Sequence, residues 1–484
     1  MQMNRRRFLS LSALGTAALS PVSRLLAQPA PLPVTVTLGK PTGRRIAEDF
    51  TGLSYESAQL SDANFFAADN KQLIDLIAGL GQHGVLRIGG NTSEYCFWKS
   101  DPKAHGISTD PIQDALGPDK GHKPPPRRVI TEQSIRNLRE FLDHLPGWSL
   151  IYGLNLGLGT PEMAAEEAAF VSHAMGGKLV AFQMANEPDL FYRNGLRPSS
   201  YTTDQFIAEW RKFFQAVRSR VPDAPFAGPD TAYNNDWLVP FAKAVRNDVK
   251  FISSHYYAEG PPTDPSMDIA RLLRPDPKLD REFAGLEQVT KDTGLPFRLA
   301  ETNSCYQGGK PGVSDTFASA LWGADYMFRI AQAGGTGVNF HGGGFGWYTP
   351  IAGTRAKGFG ARPLYYGMRL FREAALSGAS GSELLEANLS TAPDGLRVYA
   401  VQHADGRVTL AALNLSLDHP IDLSIDHRFN GKPLLRLQAP GASAKSGETL
   451  GNAIIGANGE WHAASHETAS ERLRLAPASA ALID

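Results

Sequence analysis

The sequence predicts an α/β fold, a (β/α)8 TIM barrel, joined to a smaller C-terminal β-sandwich domain that includes an N-terminal strand. Three observations predict it. Between residues 50 and 376, short apolar runs alternate eight times with longer amphipathic stretches, the pattern of a parallel sheet covered by helices. After residue 380 the pattern changes to closely spaced strand-like runs parted by turn residues. Before the first barrel unit, Val34-Thr-Val-Thr-Leu38 alternates as a strand with nothing local to pair with.

In chain order, the first segment is an address. Asn4-Arg-Arg-Arg-Phe-Leu-Ser10, an apolar stretch from Leu9 to Val22 and a small-residue site at Leu25-Leu-Ala27 read as a twin-arginine signal peptide over residues 1–27. Pro29, Pro31 and Pro33 argue against a continuing helix. The expected location is therefore periplasmic or secreted. The barrel is expected over 45–376, and the β-sandwich over 30–44 together with 377–484.

The barrel strands are expected at 50–56, 84–89, 148–155, 179–186, 226–231, 249–256, 296–301 and 335–341. Helices are expected near 69–81, 131–144, 161–175, 202–220, 235–246, 277–293, 315–333 and 363–376. Residues 202–220 show why: Phe206, Ile207, Trp210, Phe213, Phe214 and Val217 fall on one broad helical face. Thr131-Glu132 and Thr160-Pro161 are helix-opening pairs. Periodicity does not by itself show closure, so a doubly wound open sheet is the alternative. Three strands of the second domain are expected at 396–402, 408–414 and 421–425.

Bulk properties narrow the function. A chain of 484 residues with 42% apolar content can bury a large core, and a net charge of −1 supplies no field for nucleic acid or a membrane surface. Two cysteines, Cys96 and Cys305, make no disulfide framework, although a single link between them is left open. No G-x-G-x-x-G opens a helix after a strand, and the histidines lack metal-ligand spacing, so neither a cofactor nor a metal is expected. His341-Gly-Gly-Gly344 matches an esterase oxyanion motif, but the G-x-S-x-G nucleophile elbow that should accompany it is absent from the sequence.

The chemistry is concentrated in two glutamates. Glu187 in Asn186-Glu-Pro-Asp189 and Glu301 in Ala300-Glu-Thr-Asn303 each close an apolar run, at the expected ends of strands four and seven. Such ends face the mouth of a barrel, and an unpaired carboxylate there is costly unless it has work to do. Two carboxyl groups across one mouth are the equipment of glycoside hydrolysis. Glu56, Asn91, Asn186, His255-Tyr-Tyr257 and His341 collect at the same ends.

Leu86-Arg-Ile-Gly-Gly-Asn91, Asn186-Glu-Pro-Asp189 and Ala300-Glu-Thr-Asn-Ser-Cys-Tyr-Gln-Gly-Gly-Lys310 resemble glycoside hydrolase family 79, the β-glucuronidases and heparanases of clan A. The resemblance extends over nearly the whole mature chain and is closer to a bacterial β-glucuronidase branch. It implies Glu187 as acid/base and Glu301 as nucleophile, with carboxyl groups about 5–5.5 Å apart and retention of configuration. Glu187 is expected to be protonated at rest beside the charge of Glu301. Asn186 would meet the sugar 2-hydroxyl, Tyr257 would orient Glu301, and Glu56 and Asn91 would hold other hydroxyls. A uronate carboxylate would be received by Tyr306, the amides around Gly308 and Gly309, Lys310 and Tyr348. One departure is that Phe340 precedes His341 where heparanases carry a tyrosine, and Tyr348 is expected to supply that hydroxyl. The substrate implied is a carbohydrate bearing a uronic acid, cleaved in exo fashion, with endo cleavage of acidic polysaccharide, or binding without catalysis, as the alternatives. The long basic segment 99–130, with Lys99, Lys103, Lys120, Lys123, Arg127 and Arg128, is expected to lack secondary structure, and either walls the cleft or is solvated surface.

Overall fold

The computed structural model describes residues 30–116, 124–232, 234–378, 381–464 and 467–484. The signal-peptide reading of residues 1–27, and Lys120 and Lys123, lie outside the described residues.

Eight parallel strands close into a barrel: β1 (Thr51–Glu56), β2 (His83–Gly89), β3 (Gly147–Leu154), β4 (Leu179–Met184), β5 (Phe226–Ala232), β6 (Phe251–Glu259), β7 (Phe297–Cys305) and β8 (Val338–His341). Closure is made by β8 pairing with β1, with Val338 opposite Thr51 and His341 opposite Ser54. This excludes the open-sheet alternative. The main helices are α1 (Lys71–Gly79), α2 (Glu132–Asp143), α3 (Pro161–Met175), α4 (Thr203–Arg220), α5 (Asn235–Ala244), α6 (Pro277–Thr293), α7 (Phe317–Gln332) and α8 (Pro363–Ala375). Thr131, Thr160 and Thr202 cap α2, α3 and α4, each accepting a backbone N–H of the first turn. Such a cap contributes about 1 kcal/mol.

Two strand ends differ from expectation, for local reasons. β7 does not stop at Glu301; it stays paired with β6 as far as Cys305 opposite Glu259, so Glu301 stands inside the strand, beside a register irregularity. β8 starts at Val338, because Gly334 at φ +82° keeps the chain turning and Thr336 bonds back to Phe297. The 99–130 segment is more ordered than its composition suggests. Cys96–Trp98 pairs with Arg128–Ile130, and a short helix spans Pro111–Leu116. Three of its cations have local partners: Lys99 pairs with Glu132 and Glu166, Arg127 with Asp101, and Arg128 with Asp114.

The second domain is one nine-stranded sheet that curls over its own core. The N-terminal strand, Leu32–Ile46, lies inside it, antiparallel to Ser382–Leu389 and parallel to Ile421–Ser424. The period of two then assigns faces. Val398, Ala400, Leu410, Ala412, Ala481 and Ile483 point into the domain's own core with Val34 and Leu423. Their neighbours Tyr399, Val401, Ala411, Leu413, Ala480 and Leu482 belong to the barrel's core. This covered face explains why α7 is buried nearly all round instead of on one stripe. Phe328 stacks on Tyr399 at 4.3 Å, and the Tyr399 hydroxyl donates to Asp325 at 2.6 Å. The cysteines are both buried free thiols.

Candidate active site

The site is built around an arginine. Arg87 sits inside the apolar run of β2 and is 1% exposed at the barrel axis. Its guanidinium donates to Glu301 Oε2 at 2.6 Å, Asn186 Oδ1 at 2.9 Å, Gln183 Oε1 at 3.0 Å and Ser54 Oγ at 3.2 Å, and lies 3.4 Å from Asp230. Strands β1, β2, β4, β5 and β7 are therefore tied to one charge. A fully buried arginine is tolerated only with such partners. The two glycines that follow it make room. A Cβ on Gly89 would fall 2.4 Å from the guanidinium, and one on Gly90, at φ +74°, 2.4 Å from the Glu56 carboxylate.

Glu301 accepts from Arg87 on one oxygen and from the Tyr257 hydroxyl, at 2.7 Å, on the other. Burial alone would raise its pKa. The charges of His341, His255 and Arg87, with the Tyr257 bond, outweigh that and hold the carboxyl well below the usual range. Glu301 is thus an ionised carboxylate with fixed orientation.

Glu187 does not end β4; it lies three residues beyond Met184, held by unusual backbone. Ala185 (φ +80°), Glu187 (φ +49°) and Asp230 (φ +57°) all adopt left-handed conformations, and the Asp230 carbonyl accepts the Glu187 N–H at 2.8 Å. Each such residue costs of order 1–3 kcal/mol, and the surrounding contacts hold it in place. Glu94, buried beneath, accepts the N–H of Asn186 at 2.7 Å and that of Gly157. Burial pushes the Glu94 carboxyl up to about 7. Glu187 Oε1 lies 3.2 Å from His255 Nδ1, and His255 Nε2 lies 3.5 Å from Asp230. One carboxylate oxygen of Glu187 and one of Glu301 lie within 4.8 Å. The two carboxyl groups therefore face one another across one mouth, as an acid/base and a nucleophile must.

His255 completes the triangle, each ligand atom within 4.8 Å of the others, a spacing that a metal ion also accepts. A cation there would face Arg87 at 2.6 Å from Glu301, so the donor set suits carboxylate chemistry better. Burial lowers the pKa of His255, but the charge of Glu301 and the bonds to Asp230 and Glu187 outweigh it and raise it to about 10. Since the unfolded imidazole titrates near about 6.5, this raised pKa contributes stability that is whole below that pH and is lost as pH rises towards 10. The urea midpoint of the wild type should therefore fall more steeply between pH 7 and 10 than that of His255→Gln; parallel slopes would mean that the folded imidazole is neutral.

Around the pair is a cavity of about 690 Å3, lined by Glu56, Asn91, Glu187, Tyr257, Glu301, Tyr306, Gly308 and Tyr348 among others. Glu56 is clamped by the Thr92 N–H and hydroxyl and lies 3.2 Å from His341 Nε2. Asn186 lies just behind the wall, 2% exposed, its Oδ1 on Arg87 and its Nδ2 donating to Asn91 at 3.0 Å. Tyr348 packs 6.2 Å from the Tyr257 ring and 6.1 Å from that of His341. The structure does not bring Lys310 or Gly309 to this cavity wall. Gly308 and Gly309, at φ +85° and +88°, turn the chain so that the Lys310 ammonium caps the Asp264 carbonyl at 2.5 Å, and Gly309 faces a neighbouring cavity. Lys310 is corrected from a uronate ligand to a loop fastener.

Sequence reasoning missed Arg87, Asp230, Glu94 and Asp189 as site residues and named His255 only in passing. A charged residue inside the run Val85-Leu-Arg-Ile88 was the available signal for Arg87. Burial and the neighbouring Glu187 push Asp189 up to about 7.

Residues 164–327 match the profile of the glycosyl hydrolase family 79 N-terminal domain. A β-glucuronidase of Aspergillus niger is 28% identical over 410 residues, spanning 76% of this chain and 69% of that one. Over this stretch the chain is similar to glycosyl hydrolase family 79. The heparanase of Mus musculus is 23% identical over 337 residues, 60% of this chain and 61% of its own length. Among solved structures, a 4-O-α-L-rhamnosyl-β-D-glucuronidase from Fusarium oxysporum superposes with a TM-score of 0.72 at 18% identity, covering 93% of this chain and all of that one. The two chains share an overall fold.

Proposed function

We propose that the protein is a retaining β-glucuronidase, with Glu301 as nucleophile and Glu187 as acid/base. The observation that carries the reading is the carboxylate pair within 4.8 Å, one member ionised and clamped by Arg87 and Tyr257. Glu187 gives its proton to the glycosidic oxygen while Glu301 attacks the anomeric carbon. The C1–O bond to the aglycone breaks and a bond from C1 to Glu301 forms. Glu187 then takes a proton from water, whose oxygen displaces Glu301, and configuration is retained. Asn186 has a second Nδ2 proton beyond its bond to Asn91, which would serve the 2-hydroxyl. Asn91 and Glu56 present oxygen acceptors to other hydroxyls. For the uronate carboxylate, the Tyr306 and Tyr348 side chains and the backbone near Gly308 are the polar groups on the far wall. The β-glucuronidase relative supports the uronate over a neutral sugar. Export by the twin-arginine route is inferred from residues 1–27 alone.

The test is release of p-nitrophenol from the β-glucuronide and from the β-glucoside. The expected result is at least about a hundredfold preference in kcat/KM for the glucuronide, with the β-anomer of glucuronic acid formed first in the NMR spectrum. Preference for the glucoside would overturn the substrate, and initial α-anomer would overturn retention.

A further inference from the structure

Three successive loops at the mouth of the barrel meet on one buried carboxylate, that of Glu94. It sits in the short helical turn Asn91–Tyr95 that follows β2. Its Oε1 accepts the N–H of Asn186, from the turn after β4, at 2.7 Å. Its Oε2 accepts the N–H of Gly157, from the loop after β3. Each oxygen thus holds a different loop, and Glu94 itself is not among the residues that line the catalytic cavity. Burying a carboxylate is a costly way to satisfy two backbone donors, so its place calls for more than an acceptor.

The bond to Asn186 bears on the chemistry. That N–H lies between Ala185 and Glu187, both in left-handed backbone. The next N–H along the chain, that of Glu187, goes to the Asp230 carbonyl on β5 at 2.8 Å. The acid/base therefore rides on a turn held by two consecutive N–H groups, and left-handed non-glycine backbone persists only where such contacts hold it. The Glu94 end is braced in turn. Arg197 Nη1 donates to the Gly157 carbonyl at 2.9 Å, and its Nη2 to Glu209 of α4 at 2.9 Å. Asn155 accepts the N–H groups of Leu158 and Gly159 and donates to the Cys96 carbonyl, each at 2.9 Å. A Cβ on Gly157 would fall 2.8 Å from Glu94 Oε2, so glycine is what lets this loop pass so near the carboxylate.

We propose that Glu94 is a positioning residue for the acid/base: it holds the Ala185–Glu187 turn so that the Glu187 carboxyl meets the glycosidic oxygen. A general acid acts only within hydrogen-bond reach of the atom it protonates. Glu301 is held separately, by Arg87 and Tyr257. Loss of Glu94 therefore impairs protonation of the leaving group more than attack on C1. The proposal rests on the β-glucuronidase reading above and brings a third carboxylate into that reaction.

The experiment compares p-nitrophenyl and methyl β-glucuronide as substrates of wild type and Glu94→Gln. It is run above the Glu94 pKa of about 7, where the wild type carries the carboxylate. p-Nitrophenolate leaves with little help, whereas methoxide must be protonated as it departs. Glutamine keeps the size of glutamate but offers one acceptor oxygen to two N–H groups. The variant's kcat/KM should fall about a hundredfold on the methyl glucuronide, and less than about tenfold on the aryl glucuronide, because general acid catalysis supplies roughly 10²–10⁴-fold. Gly157→Ala, whose methyl group displaces the same carboxylate, should shift the ratio in the same direction. An equal loss on both substrates, or no loss on either, would overturn the proposal. A wild type that cleaves only the aryl compound would do the same, since Glu187 would then protonate nothing. Should the thermal midpoint show that Glu94→Gln does not fold, Gly157→Ala decides by the same ratio. Silence of the wild type on both substrates would overturn the glucuronidase reading itself, and this inference with it.

Discussion

Glu301→Gln should lower kcat for aryl β-glucuronide hydrolysis by at least about 10⁴-fold, while the protein remains folded and still binds substrate. Removing a group that reacts covalently costs losses of this order or larger, because the remaining residues cannot substitute for it. The amide keeps the shape of the carboxylate and an oxygen that can still accept from Tyr257 or Arg87. It lacks the charge that attacks. Intact mass spectrometry with a slow 2-fluoro glucuronide should show the glycosyl adduct on the wild type and none on the variant. A variant within tenfold of wild type would remove Glu301 from the covalent role.

Arg87→Met should damage both stability and rate. The guanidinium is buried against Glu301 and Asp230, and deleting one partner of a buried ion pair leaves the other uncompensated at about 3–5 kcal/mol. Glu301 also loses one of the charges that keep it ionised, so the acid limb of the kcat/KM profile should move to higher pH as activity falls. Urea unfolding and the pH profile read the two effects separately. A variant with wild-type unfolding midpoint and an unshifted acid limb would show that Arg87 only fills space.

The barrel was legible because its eight repeats each carry a period that physics ties to a face, and helices such as α4 announce themselves through Phe206, Trp210, Phe213 and Val217. Glu187, Glu301 and Tyr257 were legible as residues closing or following apolar runs. Arg87, Asp230 and His255 were less so, since their value comes from convergence at the barrel axis of strands β2, β5 and β6, which sequence order keeps apart. Nothing local says which side of a strand faces that axis. Lys310 was misjudged for the opposite reason. Its charge suited an anionic sugar, but the direction of the side chain is decided by the left-handed turn at Gly308 and Gly309. The order of the 99–130 segment was hidden because the pairing of Cys96–Trp98 with Arg128–Ile130 bridges a proline-rich stretch with no pattern of its own.

The N-terminal strand bears on how the molecule is made. Thr35 bonds to Ser390 across 355 positions of sequence, and the same strand lies against Ile421–Ser424 on its other edge. During synthesis, this strand has no partner until the whole barrel has followed it. Contacts this distant in sequence are slow to form and leave an open strand edge exposed meanwhile. A chain that stopped inside the barrel would carry this strand without either of its neighbours, so the two ends of the sequence complete one sheet or neither does.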